Sequence, residues 1–168
     1  MQTISKEEEQ RYAQLQVMAL DFARVGETSE LQKMIEAGIS VNLSTHKDDS
    51  LLMLATYNGN YETAKMLIEH NADLDRVNQR EQTPLDGVCF KGDFEIVKLL
   101  ISSGAKIGEK TIVYATMFGH NDIADYLQIN GANENKMIFF GISTKPILLL
   151  IGKILNKFKT SEPTPCNN

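Results

Sequence analysis

Apolar residues recur along this chain in short runs at three- and four-residue spacings, and glycines stand between the runs. One representative run contains Ile96, Val97, Leu99 and Leu100. Gly92 stands before this run and Gly104 stands after it. The spacing predicts an amphipathic helix that buries one face, and the two glycines predict a helix end on either side of it.

The glycines also mark an internal repeat. Near-copies of one unit surround four of them: Gly26, Gly59, Gly92 and Gly119. The first three are 33 residues apart, and the fourth follows after 27 residues. A period of this length is typical of a solenoid, in which each unit buries its apolar faces against its neighbours.

Each unit is predicted to contain two short helices and a projecting finger. Thr83 can cap the first helix through its hydroxyl, and Pro84 suits the first helical position because no N–H partner is needed there. The first helix ends at Gly92, and Gly104 stops the second helix. The polar stretch 75–82 between units suits an extended finger without core residues.

The third unit carries the clearest motif, with TPLD at residues 83–86, GDFEIVKLL at 92–100 and SGA at 103–105. It resembles the ankyrin repeat, whose pattern is TPLH, then G-H-x-E-I-V-x-x-L-L, then G-A-D-V-N. This resemblance extends from about residue 22 to residue 132. It implies an all-α solenoid of about four helix-pair repeats with β-hairpin-like fingers, capped by terminal helices. The expected repeats are 8–39, 40–72, 73–105 and 106–132, within a domain of residues 1–136.

The first and fourth units depart from this pattern. Ser5 and Glu8 read as a capping box, and residues 6–24 are predicted to form one helix that seals the N-terminal end of the stack. Four residues fall on one face of this helix: Leu15, Met18, Ala19 and Phe22. In the fourth unit, six residues are missing between Ala105 and Thr111, so the finger is trimmed and both helices remain.

Composition fits one domain of this kind. The chain has 168 residues, 42% of them apolar, and a net charge of −5. Cys89 and Cys166 are too few for a disulfide scaffold and favour a reducing compartment. No signal peptide is predicted in residues 1–10, so we expect a cytoplasmic protein. Before residue 133 the net charge is −8, which disfavours binding to nucleic acid.

Residues 137–159 form a separate apolar segment. From Pro146 onward, six apolar residues follow helical spacing: Ile147, Leu150, Ile151, Ile154, Leu155 and Phe158. Lysines lie mostly on the opposite side, so we predict an amphipathic helical segment that is too interrupted to span a bilayer. It either folds back to cap the last repeat, which we prefer because solenoid ends need covering, or binds a membrane surface through its lysines. Residues 160–168 are expected to be disordered.

No enzyme chemistry is predicted. The sequence has no Gly-rich phosphate loop, no zinc-ligand spacing and no serine or cysteine in a nucleophile context. His46, His70 and His120 are expected to be structural or solvated, because no two of them have ligand spacing. Cys89 occupies the place of a small core residue, so packing explains it.

The candidate functional surface is a column of residues placed two positions before each glycine. In ankyrin-like stacks such a position points toward the concave side. The column contains Arg24, Tyr57, Phe90 and Met117. Arginine and aromatic residues are enriched in binding hot spots, so the column is a candidate contact face. The alternative is that these side chains only pack under the fingers.

Two functional classes fit the column. The first is a protein-interaction module, which the ankyrin resemblance itself implies. The second is a haem carrier, in which Tyr57 ligates ferric iron, Phe90 stacks on the macrocycle and Arg24 pairs with a propionate. In size and layout the chain is also similar to small bacterial ankyrin proteins that accompany haem catalases. This resemblance makes haem the ligand to test, as a carried group and not a required cofactor, and a haem catalase the partner to test.

Overall fold

Residues 5–131 and two short strands beyond them are described by the computed structural model. Within residues 5–131 the regular structure is helical. The helices are α1 (Lys6–Val25), α2 (Thr28–Glu36), α3 (Leu51–Tyr57), α4 (Tyr61–Glu69), α5 (Pro84–Lys91), α6 (Phe94–Ser102), α7 (Glu109–Met117) and α8 (Asn121–Ile129).

The eight helices stack in two rows. The inner helices α1, α3, α5 and α7 pack side by side, and the outer helices α2, α4, α6 and α8 form a second row against them. Apolar side chains from both rows fill the core; those fully buried include Leu31, Leu52, Leu67, Leu85, Ile96 and Leu127. The predicted all-α repeat solenoid is therefore confirmed for this part of the chain.

A left-handed glycine turn joins the two helices of every repeat. The four glycines of the repeat have φ angles between 78° and 86°, a backbone region that residues other than glycine rarely adopt. The turn directs the outer helix back along the inner helix. It also brings the backbone of Gly92 against the next repeat, because a Cβ atom there would lie 2.2 Å from Cε1 of His120.

In the second and fourth repeats, the residue after the glycine tethers its repeat to the one before. The side-chain amide of Asn60 donates to the carbonyl oxygens of Ala23 and Arg24, each at 3.0 Å. Nε2 of His120 donates to the carbonyl oxygen of Phe90 at 3.3 Å. These bonds satisfy carbonyls at the ends of inner helices, which would otherwise lack partners. They also fix the spacing of those helix ends.

Two fingers project before α3 and α5. In the first finger Ser44 pairs with Ser50, and the N–H of Thr45 donates to the carbonyl of Asp49 at 3.0 Å. The second finger turns around Asn78, which is buried and whose side-chain amide donates to the Asp49 carboxylate at 2.7 Å. The predicted hairpin-like fingers are present, and hydrogen bonds join them to one another.

The fourth repeat lacks a finger, as its shortened spacing predicts. Only residues 103–108 separate α6 from α7. Helix α7 begins ten residues before its glycine, whereas α3 and α5 begin eight residues before theirs. The Thr111 hydroxyl, in the first turn of α7, donates to the buried Asp86 carboxylate at 2.7 Å. This bond connects α5 and α7 where a finger would otherwise have joined them.

The N-terminal helix is continuous, as predicted, but less of it is buried than its sequence pattern suggests. Ser5 and Glu8 form the expected capping box. Ala19 is completely buried, whereas Leu15 and Met18 are 37% and 47% exposed. Helices α2 and α3 make the main helix contacts of α1. The apolar face therefore extends beyond the surface that the stack covers.

Later in the chain, β1 (Ile138–Phe139) and β2 (Ile142–Ser143) pair in antiparallel orientation. This corrects the expectation of a helical segment from residue 137, because these residues pair as strands. The amphipathic helix expected from Pro146 and the tail expected at 160–168 lie outside the described residues. Within the described residues, no helix is both long enough and apolar enough to cross a bilayer.

A pair of glycine substitutions tests how closely the repeats approach. Gly119→Ala places a Cβ in open space and should cost about 1 kcal/mol for the left-handed backbone alone. Gly92→Ala should cost about 1 kcal/mol more, because the His120 ring must move away and lose its bond to Phe90. Urea unfolding measures both differences in the free energy of unfolding.

The background variant His120→Ala provides the control. Without the imidazole, Gly92→Ala should cost no more than Gly119→Ala. An extra cost that persists in this background would show that the imidazole contact is not its cause.

Candidate functional site

All four predicted column residues lie in the last turn of an inner helix. Tyr57 is 38% exposed and Met117 is 67% exposed, Arg24 is also exposed, and Phe90 is half-buried. The two fingers join the opposite, N-terminal ends of α3 and α5. Tyr57 lies seven residues from Ser50, or roughly 10 Å along the helix axis. Tyr57 and Phe90 therefore do not pack under these fingers, whereas Arg24 lies beside the first finger.

Two of the four residues are in direct contact. The rings of Tyr57 and Phe90 lie nearly parallel, with centroids 6.3 Å apart and an interplanar angle of 10°. Phe118 meets the edge of Phe90 at a centroid distance of 4.4 Å. Tyr57, Phe90 and Phe118 form a row across three inner helices, which we call the aromatic strip.

Packing against α5 and an inter-repeat bond hold the strip in place. The Tyr57 ring packs against α5 at Gly87, where a Cβ would lie 3.5 Å from the ring, an ordinary contact distance. The carbonyl of Phe90 accepts the bond from His120. The rings are thus positioned by the same contacts that set the spacing of the repeats.

Lys91 places a positive charge beside the strip. Its ammonium lies 5.0 Å from the centroid of the Tyr57 ring, within range of a cation–π interaction. Among the described residues Lys91 forms no ion pair. The charge is therefore available at the surface.

Arg24 is not part of this arrangement. Its guanidinium donates to the Asp21 carboxylate on the same helix. It lines a different groove, between α1 and the first finger, together with Val17 and His46. No ring-stacking or cation–π contact between described residues connects Arg24 to the strip.

An open groove of about 550 Å³ runs beside Tyr57. Lys91 lines it together with two acidic residues, Asp93 and Glu95. Glu95 pairs with Lys98 at 2.7 Å, whereas Asp93 accepts a hydrogen bond from the neutral Ile96 N–H at 3.2 Å and keeps its negative charge. Lys91 is the positive charge of this groove, and it has no ion-pair partner among the described residues.

Sequence reasoning missed two residues of the site, Phe118 and Lys91. Both stand one position before a repeat glycine, next to the column positions. The residues one position before the four repeat glycines are Val25, Asn58, Lys91 and Phe118. Phe118 is the residue that follows α7, and its ring contacts Phe90, whereas Met117 is 67% exposed.

The sequence model of the family described as "Ankyrin repeats (3 copies)" matches residues 20–111. The chain belongs to the ankyrin-repeat family. Ankyrin repeats act through protein–protein contacts and are typically not catalytic. The family assignment therefore supports a binding role for the exposed surface.

Three curated proteins are similar in sequence to part of this chain. A putative ankyrin repeat protein of Pseudomonas aeruginosa is 44% identical over 46 residues, 27% of either chain. Protein phosphatase 1 regulatory subunit 27 of Mus musculus is 34% identical over 91 residues, 53% of this chain and 58% of the relative. A putative ankyrin repeat protein of Rickettsia bellii is 32% identical over 91 residues, 47% of this chain and 54% of the relative. Each match covers less than two thirds of the relative's length.

His70, His120 and Cys89 have structural roles in this ankyrin stack. Nδ1 of His70 lies 2.9 Å from the carbonyl of Met66, and His120 bonds to Phe90. No group of three potential metal ligands occurs in the described part of the chain. Cys89 is fully buried, and this burial, reinforced by the nearby Asp86 charge, raises the pKa of its thiol to about 12.

Cys89 should therefore be unreactive while the protein is folded. In a Cys166→Ser variant, a disulfide reagent at pH 8 should modify no thiol in buffer and one thiol in denaturing urea. Because the thiol pKa is raised from 9.0 on folding, the contribution of Cys89 to stability should decline as pH rises above 9. Rapid modification of the folded variant would contradict this assignment.

Proposed function

We propose that this protein is a non-catalytic ankyrin-repeat binding protein that holds a protein partner on its aromatic strip. The observation that carries this proposal is the contact of exposed rings across three successive repeats. Tyr57 and Phe118 are 38% and 46% exposed, yet both contact Phe90.

The physical case rests on rigidity. Aromatic side chains offer large contact areas, and here the stacked and edge contacts hold the rings in one arrangement before a partner arrives. Less side-chain entropy is then lost on binding. Met117 adds a flexible apolar side chain, 67% exposed, next to Phe118. Aromatic residues and methionine are enriched at protein interfaces relative to other surfaces.

A haem catalase is the first partner to test. The support is the similarity in layout to small bacterial ankyrin proteins that accompany such catalases. The relative named as a regulatory subunit of protein phosphatase 1 supports the broader role of a non-catalytic module that attaches to an enzyme. A cytoplasmic location and the two alternatives for the C-terminal helix remain predictions.

Tyr57→Ser tests the strip, and Tyr61→Ser is its matched control. Both tyrosines are 38% exposed, but Tyr61 begins the outer helix α4 and makes no ring contact with the strip among the described residues. Tagged wild-type protein and both variants are used to recover partners from the source cells. Proteins recovered with wild type and Tyr61→Ser, but lost from Tyr57→Ser, are expected, with catalase assayed among them.

Equal recovery by all three proteins would contradict the role of the strip. A partner lost equally from both variants would indicate a general effect of removing a surface tyrosine. Unfolding curves for each variant guard against a loss of fold, which is not expected because both side chains are partly exposed.

Haem is the second candidate ligand. It is favoured by the Tyr57 hydroxyl, which is exposed and makes no hydrogen bond within the described residues, so that the oxygen is available to an iron atom. The remaining residues fit haem only in part. Arg24 is held by Asp21, so Lys91 is the cation nearest to Tyr57 for a propionate, and Asp93 and Glu95 line the same groove.

Tyr57→Phe separates the two functions. The ring is kept and the ligand oxygen is removed, so protein binding should remain near the wild-type level while any hemin binding is lost. Hemin titration followed by Soret absorbance measures the second effect. Equal hemin binding by wild type and Tyr57→Phe would rule out Tyr57 as the ligand.

A further inference from the structure

The charges around the aromatic strip indicate which partner chemistry it prefers. Six ion pairs connect described residues, and they include the neighbouring pairs Arg24 with Asp21 and Lys98 with Glu95. Lys91 takes part in none of them. Lys91 contacts an aromatic face but no carboxylate, so its ammonium N–H groups have no charged acceptor among the described residues.

The geometry of Lys91 leaves room for a carboxylate. An ammonium group has three donors, and the one directed at the Tyr57 ring leaves the others for a partner. Because Lys91 is exposed at the edge of the open groove, a partner carboxylate can reach it without crossing the core. The contact with the ring restrains the lysine, which reduces the entropy lost when an ion pair forms.

The spacing of the rings sets the distance between Lys91 and the apolar end of the site. Successive ring centroids along the strip are 6.3 Å and 4.4 Å apart, and Met117 and Phe118 form its exposed end. An extended peptide advances about 3.3 Å per residue, so side chains that reach Lys91 and Phe118 are roughly two to four residues apart.

From these observations we infer that the strip recognises an extended peptide segment in which an aspartate or glutamate stands two to four residues from a large apolar side chain. The carboxylate pairs with Lys91, and the apolar side chain packs on Phe118 and Met117. This inference rests on the proposed function, since it specifies the partner of the same surface.

Peptide selection provides the first test. A random-peptide phage library is selected on the full-length protein, and binders that also bind Tyr57→Ser are discarded. The remaining peptides should be enriched in Asp or Glu at the stated spacing from Phe, Tyr, Trp or Leu. The same selection on Lys91→Glu should lose the acidic preference and favour Lys or Arg.

One selected peptide, synthesised with a fluorescent label, then gives affinities. Lys91→Glu should weaken its binding on the order of ten-fold at low salt, and less at high salt, because an exposed ion pair is replaced by repulsion. Lys98→Glu is the matched control. Lys98 also lies over an aromatic ring, at 4.5 Å from the Phe94 centroid, but it sits on outer helix α6 and pairs with Glu95.

Binding by Lys98→Glu should remain within about two-fold of wild type, as expected for a charge away from the contact. Peptides that need Tyr57 but show no acidic preference would overturn the inference while leaving the proposed function in place. Failure to obtain any peptide that depends on Tyr57 would count against both. A similar loss for Lys91→Glu and Lys98→Glu would reduce the effect to overall charge and would also overturn the inference.

Discussion

The left-handed glycine turn between inner and outer helix is the constraint on which this structure depends. It reverses the chain within a few residues, and at Gly92 it allows the next repeat to approach so closely that a side chain would meet His120. The hydrogen bonds from Asn60 and His120 to the preceding inner helices then set the spacing of the stack. The ends of those helices are consequently held at fixed positions on the surface.

The candidate binding site occupies those same helix ends. Phe90 shows the connection, because its carbonyl is bonded by His120 and its ring contacts both Tyr57 and Phe118. A surface built in this way is rigid and regular. Its chemistry, by contrast, comes from residues that the repeat does not require, and these distinguish one ankyrin protein from another.

Much of the fold is readable from the sequence because its signals are local. The period of 33 residues, the cap at Thr83 and Pro84, and the missing finger before α7 each depend on neighbours in the chain. The site is readable only in part. The contact of Tyr57 with Phe90 follows from the repeat register, but the register does not predict that Phe118, and not Met117, packs against Phe90. The pairing of Arg24 with Asp21 is also local, because oppositely charged residues three apart on a helix are neighbours, but assigning Arg24 to the column left this pair out of account.

The central claim is that a partner binds at the C-terminal ends of the inner helices, and chemical-shift mapping by NMR tests it most directly. The isotope-labelled protein is titrated with a peptide that was selected for binding to the protein without any requirement for Tyr57. The account predicts that the shifted amides cluster at the helix ends, around residues 57–59, 90–92 and 117–119. Amides of the fingers, at 44–49 and 76–82, should remain unchanged. Shifts confined to the fingers and the N-terminal ends of the inner helices would contradict the account, because binding would then occur at the opposite end of the stack.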